Sequence, residues 1–224
     1  MDLIETLRTT GAIRNFLPDA VTDETVYRIL DNARFAPSGG NRQGWHVVIV
    51  KDSAFRERLR DLYLPAWYDY LAQRTVGLTP WAPVNDRAAE ARAIESAADM
   101  RGDGFAEHLH EMPVLLVVFA DLSALAAVDR DLPRYTFAGG ASVYPFVWNV
   151  LLAARDEGLG GVITTMAIGR EDEVKTLFHA PEEFAVAAVV ALGRPVHQPR
   201  KLTRAPVEAF TTIDGVTGPA FVGS

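Results

Sequence analysis

The sequence predicts a single domain in which helices alternate with buried strands, and three observations predict it. Three apolar runs rich in branched residues, "WHVVIV" (45–50), "PVLLVVFA" (113–120) and "FAVAAVVAL" (184–192), lack the alternation of a half-exposed strand. They read as strands covered on both faces. Between the second and third, "GGASVYPFVWNVLLAARDEGLGG" (139–161) gathers Val143, Phe146, Val147, Val150, Leu151 and Ala154 on one broad face, the pattern of a central helix. The chain has 224 residues, 49% hydrophobic and 23% charged, which is enough for one full core, and no repeat or low-complexity tract divides it.

The remaining elements follow in chain order. In "VTDETVYRILDNARFAPS" (21–38), Thr22 is placed as an N-cap, and Val21 and Val26 form a hydrophobic staple across it. Val26, Ile29, Leu30 and Ala33 recur at helical spacing until Pro37. "LTPWAPVND" (78–86) reads as an irregular excursion of the kind that forms lids, and the Ala-, Arg- and Glu-rich stretch 85–111 as an exposed helix. Gly158 caps the central helix before a shorter strand, "GVITTM" (161–166). Beyond Pro195 the tail is too rich in Pro and Gly for a regular element, yet it keeps Val207, Phe210 and Phe221 to bury. Such a tail can wrap around a partner subunit.

Charge and composition exclude several classes. Net charge is -7 and the cations form no block, so no basic stripe offers itself to nucleic acid. The absence of cysteine excludes disulfides, thiolate metal sites and cysteine nucleophiles, and fits a reducing compartment. Acidic residues stand where a signal peptide needs basic ones, and no apolar run approaches the ~18 residues of a membrane span. The expectation is a cytoplasmic protein that contacts neither membrane nor nucleic acid.

The stretch "APSGGNRQGWHVVIVKD" (36–52) sets a polar, flexible loop directly before an apolar strand. A phosphate cradle of the dinucleotide-binding or P-loop kind follows a strand and precedes a helix, and this loop has the opposite order. It offers Ser38, Asn41 and Gln43, which both donate and accept, beside glycines that let the backbone approach a ligand. Such groups match the polar edge of a flat heterocycle. The same loop also reads as a helix-to-strand turn whose polar residues satisfy their own backbone.

The order of "GAIRNF", "ARFAPSGGNRQGWHVVIVKD", "LLAARDEGLGGVITT", "ALGRP" and "LTRAPVEAF" resembles the FMN-dependent nitroreductase family, with matching blocks from residue 3 to residue 210 and a looser match over 65–112. The resemblance implies an α+β fold over residues 1–224, a central mixed sheet flanked by helices. Segment 65–112 is then a variable helical excursion or lid, and 196–224 is a C-terminal tail extending over the partner of a homodimer. It further implies FMN at the subunit interface. Pro37, Ser38, Asn41 and Gln43 fall on the flavin ring, Thr164 and Thr165 at its hydride-accepting edge, and Arg14 and Arg204, with Lys201 as helper, on the phosphate. An N–H or hydroxyl at that edge stabilises the charge of the reduced ring, and guanidinium forks suit a phosphate.

The implied activity is ping-pong hydride transfer from NAD(P)H through FMN to a small electrophilic acceptor such as a nitroaromatic or quinone. The alternative is a flavin-binding storage or sensing protein with little turnover. One departure bears on both: Thr10, Gly11 and Ala12 stand where many members carry Arg-x-Ser, and Arg8 is the available substitute. Trp67, Tyr68, Tyr70 and Trp81 are candidates to line the mouth of the site, or to serve as core or dimer contacts. His108 and His110 are two apart, the wrong spacing for a metal pair on a helix, and read as a solvated helix end. Asp129, Arg130, Asp131 and Arg134 read as a charged surface turn, and Trp148 as packing on the central helix. No G-x-S-x-G signature marks a hydrolase.

Overall fold

The second and third of the apolar runs become the two inner strands of a four-stranded sheet. The structure, a computed structural model, describes residues 1–223. Strands β1 (Trp45–Ile49), β2 (Val114–Asp121), β3 (Gly160–Thr164) and β4 (Phe184–Gly193) lie in the order β1-β2-β4-β3, with every neighbouring pair antiparallel. The parallel component of the expected mixed sheet is a single bridge, Ala12 to Gly161, on the outer side of β3.

Alternate side chains of the inner strands enter two separate cores, which is why their sequences are apolar throughout. Leu116 and Val118 of β2, with Ala188 and Val190 of β4, meet helices α2 (Asp23–Ala33) and α5 (Tyr144–Asp156) through Ile29, Phe146, Val147 and Val150. Leu115, Val117 and Phe119, with Val189 and Ala191, meet α3 (Ser53–Thr75) and α6 (Glu171–Leu177) through Leu59, Leu62, Tyr63 and Val174. The result is a sheet between two helical layers.

Several local expectations hold. The Thr22 side chain accepts from the Thr25 N–H at 3.2 Å, and Val21 and Val26 share one core cluster. The predicted face of α5 is buried at every named position, and Gly158 follows the helix at φ +77°. A left-handed residue just beyond a helix is where glycine costs least.

Three expectations are corrected: the end of the helix before the loop, the burial of the first strand and the extent of helix in 85–111. Helix α2 stops at Ala33, before Pro37. Strand β1 is an edge strand with His46 and Ile49 exposed, not a strand covered on both faces. The stretch 85–111 is α-helical only over α4 (Arg87–Ser96), with a separate 3-10 turn at Leu109–Glu111, because the Gly- and Asp-containing segment 99–104 turns the chain out of helix. Segment 65–112 opens within α3, a 23-residue helix capped by Asp52 that runs through Pro65. The irregular excursion at 78–86 is present as a series of turns. In the tail Val207, Phe210 and Phe221 are exposed on this chain.

Candidate functional site

The loop before β1 is shaped by three left-handed residues, Gly40 (φ +60°), Asn41 (φ +53°) and Gln43 (φ +52°). Its own contacts hold it so: the Ser38 hydroxyl oxygen accepts from the Gln43 N–H at 2.9 Å, and Gln43 Nε2 donates to Asn41 Oδ1 at 3.3 Å. Two contacts pin it to the body. The Gly39 N–H donates to Ser142 Oγ at 3.0 Å and Arg42 Nε donates to the Ala124 carbonyl at 2.8 Å. The turn reading therefore holds for part of the loop. The Ser38 O–H, the Asn41 amide N–H groups and Gln43 Oε1 remain without hydrogen bonds among the described residues, while Pro37, Asn41 and Gln43 are exposed.

A second group assembles at the other edge of the sheet. The Ile13 N–H donates to the Gly161 carbonyl at 2.8 Å, which lays residues 12–14 along β3 and brings Arg14 to its far end. This approach depends on Gly160, where a Cβ would lie 2.7 Å from Ile13 Cγ1, and the neighbouring glycine is required by the sheet and α5 instead. A Cβ at Gly161 would lie 2.4 Å from Leu192 Cδ2 and 2.9 Å from the Ala191 carbonyl oxygen. At the end of β3 the Thr164 hydroxyl shares a hydrogen bond of 2.9 Å with the hydroxyl of Tyr63, a buried residue of α3. Burial pushes the Tyr63 phenol upward in pKa, against the opposing pull of the Thr164 bond and the nearby Arg14 charge. Thr165 follows, exposed, on the wall of a 260 Å³ cavity.

The start of the tail joins this edge. Gln198 Nε2 donates to the Thr9 carbonyl at 2.9 Å, and Leu202 packs on Gly11, where a Cβ would be 3.0 Å from Leu202 Cδ2. Leu202 thus occupies the space beside Gly11, in the stretch where the resemblance led one to expect Arg-x-Ser. Lys201 and Arg204 flank that leucine. Arg14, Lys201 and Arg204 are all exposed, and among the described residues none pairs with a carboxylate, which is also true of Arg42, Arg74 and Arg200 elsewhere on the chain. Among the described residues Arg204 reaches only the Thr203 carbonyl. Arg8, in the last turn of α1 (Leu3–Thr9), is likewise without a carboxylate partner among the described residues.

The expected residues therefore gather as two sets on one chain. Pro37, Ser38, Asn41 and Gln43 belong to the β1 edge, and Arg14, Thr164, Thr165, Lys201 and Arg204 to the β3 edge. Three strand spacings separate those edges, about 14 Å. No hydrogen bond joins the two sets among the described residues.

Three structural residues escaped the sequence. Tyr63 and the fully buried Gln73 lie on α3, which the sequence did not reveal. Asp129, expected on the surface, is a buried organiser: it accepts from Thr136 Oγ1 and the Phe137 N–H, each at 2.6 Å, from Arg134 Nη1 at 2.8 Å, and from the Ala138 N–H. These donors hold its carboxyl far below the usual carboxylate range. His108 bridges Asp103 and Glu111, and no cluster of metal-ligating side chains occurs among the described residues.

The chain spans most of the length of several known proteins. It is 29% identical over 187 residues to 5,6-dimethylbenzimidazole synthase of Rhodospirillum rubrum, covering 82% of this chain and 77% of that one. It is 27% identical over 198 residues to NADH dehydrogenase of Thermus thermophilus, covering 88% of each. The fold superposes with TM-score 0.65 and 24% identity on oxidised iodotyrosine deiodinase bound to FMN and 3-iodo-L-tyrosine, covering 92% of this chain and 96% of that one. It superposes with TM-score 0.65 and 23% identity on the NADPH:FMN oxidoreductase of Vibrio harveyi complexed with NAD+, covering 95% and 76%. A model of the Nitroreductase family matches residues 7–194, and the chain belongs to that family.

Proposed function

We propose that the protein is an FMN-dependent oxidoreductase that takes hydride from NAD(P)H and reduces a small electrophilic acceptor such as a nitroaromatic or quinone. The observation that carries this reading is the chemistry left unspent at the two edges. Three exposed cations without carboxylate partners, Arg14, Lys201 and Arg204, suit a phosphate. The free hydroxyl, amide and carbonyl groups of Ser38, Asn41 and Gln43 suit the polar rim of a flavin ring.

In this reading Arg14 and Arg204 hold the phosphate, with Lys201 adding charge. Pro37, Ser38, Asn41 and Gln43 orient the ring, and Thr164 and Thr165 stand at its reactive edge. Bound FMN would supply two-electron chemistry, so the chain needs no nucleophile or metal of its own. The Tyr63 hydroxyl fixes that of Thr164, so a preset hydrogen-bonding group meets the edge where negative charge accumulates.

The site is shared between two copies. Leu3, Ile4 and Leu7 on α1 and Phe210, Phe221 and Val222 in the tail are exposed apolar side chains on this chain. A homodimer with each tail laid over its partner covers them, and brings the ring loop of one copy to the phosphate edge of the other.

The test is the visible absorption spectrum of the purified protein, then anaerobic addition of NADPH and of NADH. A yellow protein that bleaches with a nicotinamide and recovers with an acceptor supports the enzyme. A yellow protein that neither donor bleaches is a flavin store, and a colourless one that FMN cannot colour overturns the flavin reading altogether.

A further inference from the structure

The cavity beside Thr165 has a volume of 260 Å³ and is bounded by Ala66, Trp81, Met166, Ile168 and Gly169, so one threonine is the polar exception in an apolar wall. A dry cavity of roughly 150 Å³ already admits benzene, and drug-sized ligands need about 300 Å³ or more. The space fits one substituted ring.

Trp81 is held there by a dedicated device. Its backbone is left-handed, at φ +51°, a conformation that bulky side chains rarely adopt and that persists where the surroundings over-determine it. Gln73 supplies the constraint. Its fully buried side-chain amide accepts the Trp81 N–H on Oε1 at 2.9 Å and donates from Nε2 to the Asp69 carbonyl at 3.2 Å, while the Gln73 main-chain carbonyl accepts the Leu78 N–H at 3.0 Å. The indole then ends a row of rings. Trp81 meets Tyr70 at 6.4 Å, Tyr70 stacks on Trp67 at 5.5 Å and 13°, and Trp67 meets Tyr63 at 6.3 Å. Tyr63 in turn bonds Thr164, the neighbour of Thr165.

We infer that this cavity receives the planar aromatic ring of the substrate, with Trp81 as its specificity-determining wall and Gln73 as the positioning residue behind it. The inference rests on the function proposed above, which puts Thr164 and Thr165 at the reactive edge. A ring entering the cavity gains aromatic contact with Trp81 beyond the burial of its area, whereas an octahedral anion such as ferricyanide gains none.

The test titrates 4-nitrobenzyl alcohol into the FMN-loaded protein by calorimetry and measures kcat/KM for that compound and for ferricyanide. W81A is expected to raise Kd and KM for 4-nitrobenzyl alcohol about fivefold and W81F to stay within about twofold, so that the ratio of kcat/KM for the nitro compound to that for ferricyanide falls about fivefold in W81A. Q73M is expected to raise KM for the nitro compound with kcat retained, since it frees the turn without touching the reacting atoms. A W81A protein that keeps wild-type FMN occupancy and wild-type Kd overturns the inference, as does a wild type that does not bind the probe. A protein that binds no FMN but shows Trp81-dependent binding of the probe supports the aromatic site and overturns the flavin reading.

Discussion

The Tyr63 hydroxyl lies 2.9 Å from Thr164 Oγ1, so a fully buried residue of α3 fixes the rotamer of a half-exposed threonine 101 positions away on β3. Tyr63→Phe keeps the ring and deletes the bond, and should lower stability by about 0.5–1.5 kcal/mol. It also has a signature in pH. Burial raises the phenol pKa in the fold, so the unfolded chain ionises first and native stability falls as pH climbs past about 10. Thermal melts at pH 9 and pH 11 should show a smaller alkaline loss in Tyr63→Phe than in the wild type.

Gly161 is required by close approach rather than by its backbone angle. Gly161→Ala sets a methyl against Leu192, Leu151 and the Ala191 carbonyl, all within 2.9 Å of the new Cβ. The expected loss is about 2–3 kcal/mol in denaturant unfolding, with β3 and Thr164 displaced.

If Arg14 and Arg204 bind the FMN phosphate, Arg14→Ala and Arg204→Ala should each weaken FMN about tenfold or more, the cost of one charge-assisted hydrogen bond. Quenching of FMN fluorescence on titration reads this directly. Arg8→Ala at the end of α1 reports whether Arg8 replaces the cation missing near Gly11: a comparable loss shows that it does, and unchanged affinity shows that it does not.

Asp129 gathers four donors from residues 134–138, and they depress its pKa. A depressed carboxylate stabilises the fold above its unfolded pKa, and that contribution is lost as pH falls below about 4. Asp129→Asn should lower the melting temperature at pH 6, and the gap from the wild type should narrow by pH 3.

What the sequence revealed follows a physical line. Buried elements wrote themselves into local pattern: the α5 face from Val143 to Ala154, the inner strands β2 and β4, the Thr22 cap. Helix α3 stayed hidden because Pro65 reads as a breaker, although Asp52 caps the start and packing of Leu59, Leu62 and Tyr63 carries the helix through. Partners far apart in sequence could not be read at all. The bond from Tyr63 to Thr164, the Leu202 contact on Gly11 and the grip of Gln73 on Trp81 exist only once the chain has folded. The ring loop and the cations were legible from family motifs, but their separation to opposite sheet edges needed the strand order.

The central claim, an FMN site built from the β3 edge of one copy and the β1 loop of another, is tested most directly by complementation. Arg14→Ala breaks one half, and Asn41→Gly breaks the other while tolerating the left-handed backbone at Asn41. Each variant alone should purify largely without flavin. Coexpressed, they form mixed dimers in which one site has both halves intact, so FMN absorbance should return to about a quarter of all sites. A mixture as colourless as the separate variants, alongside a yellow wild type, would contradict the shared site.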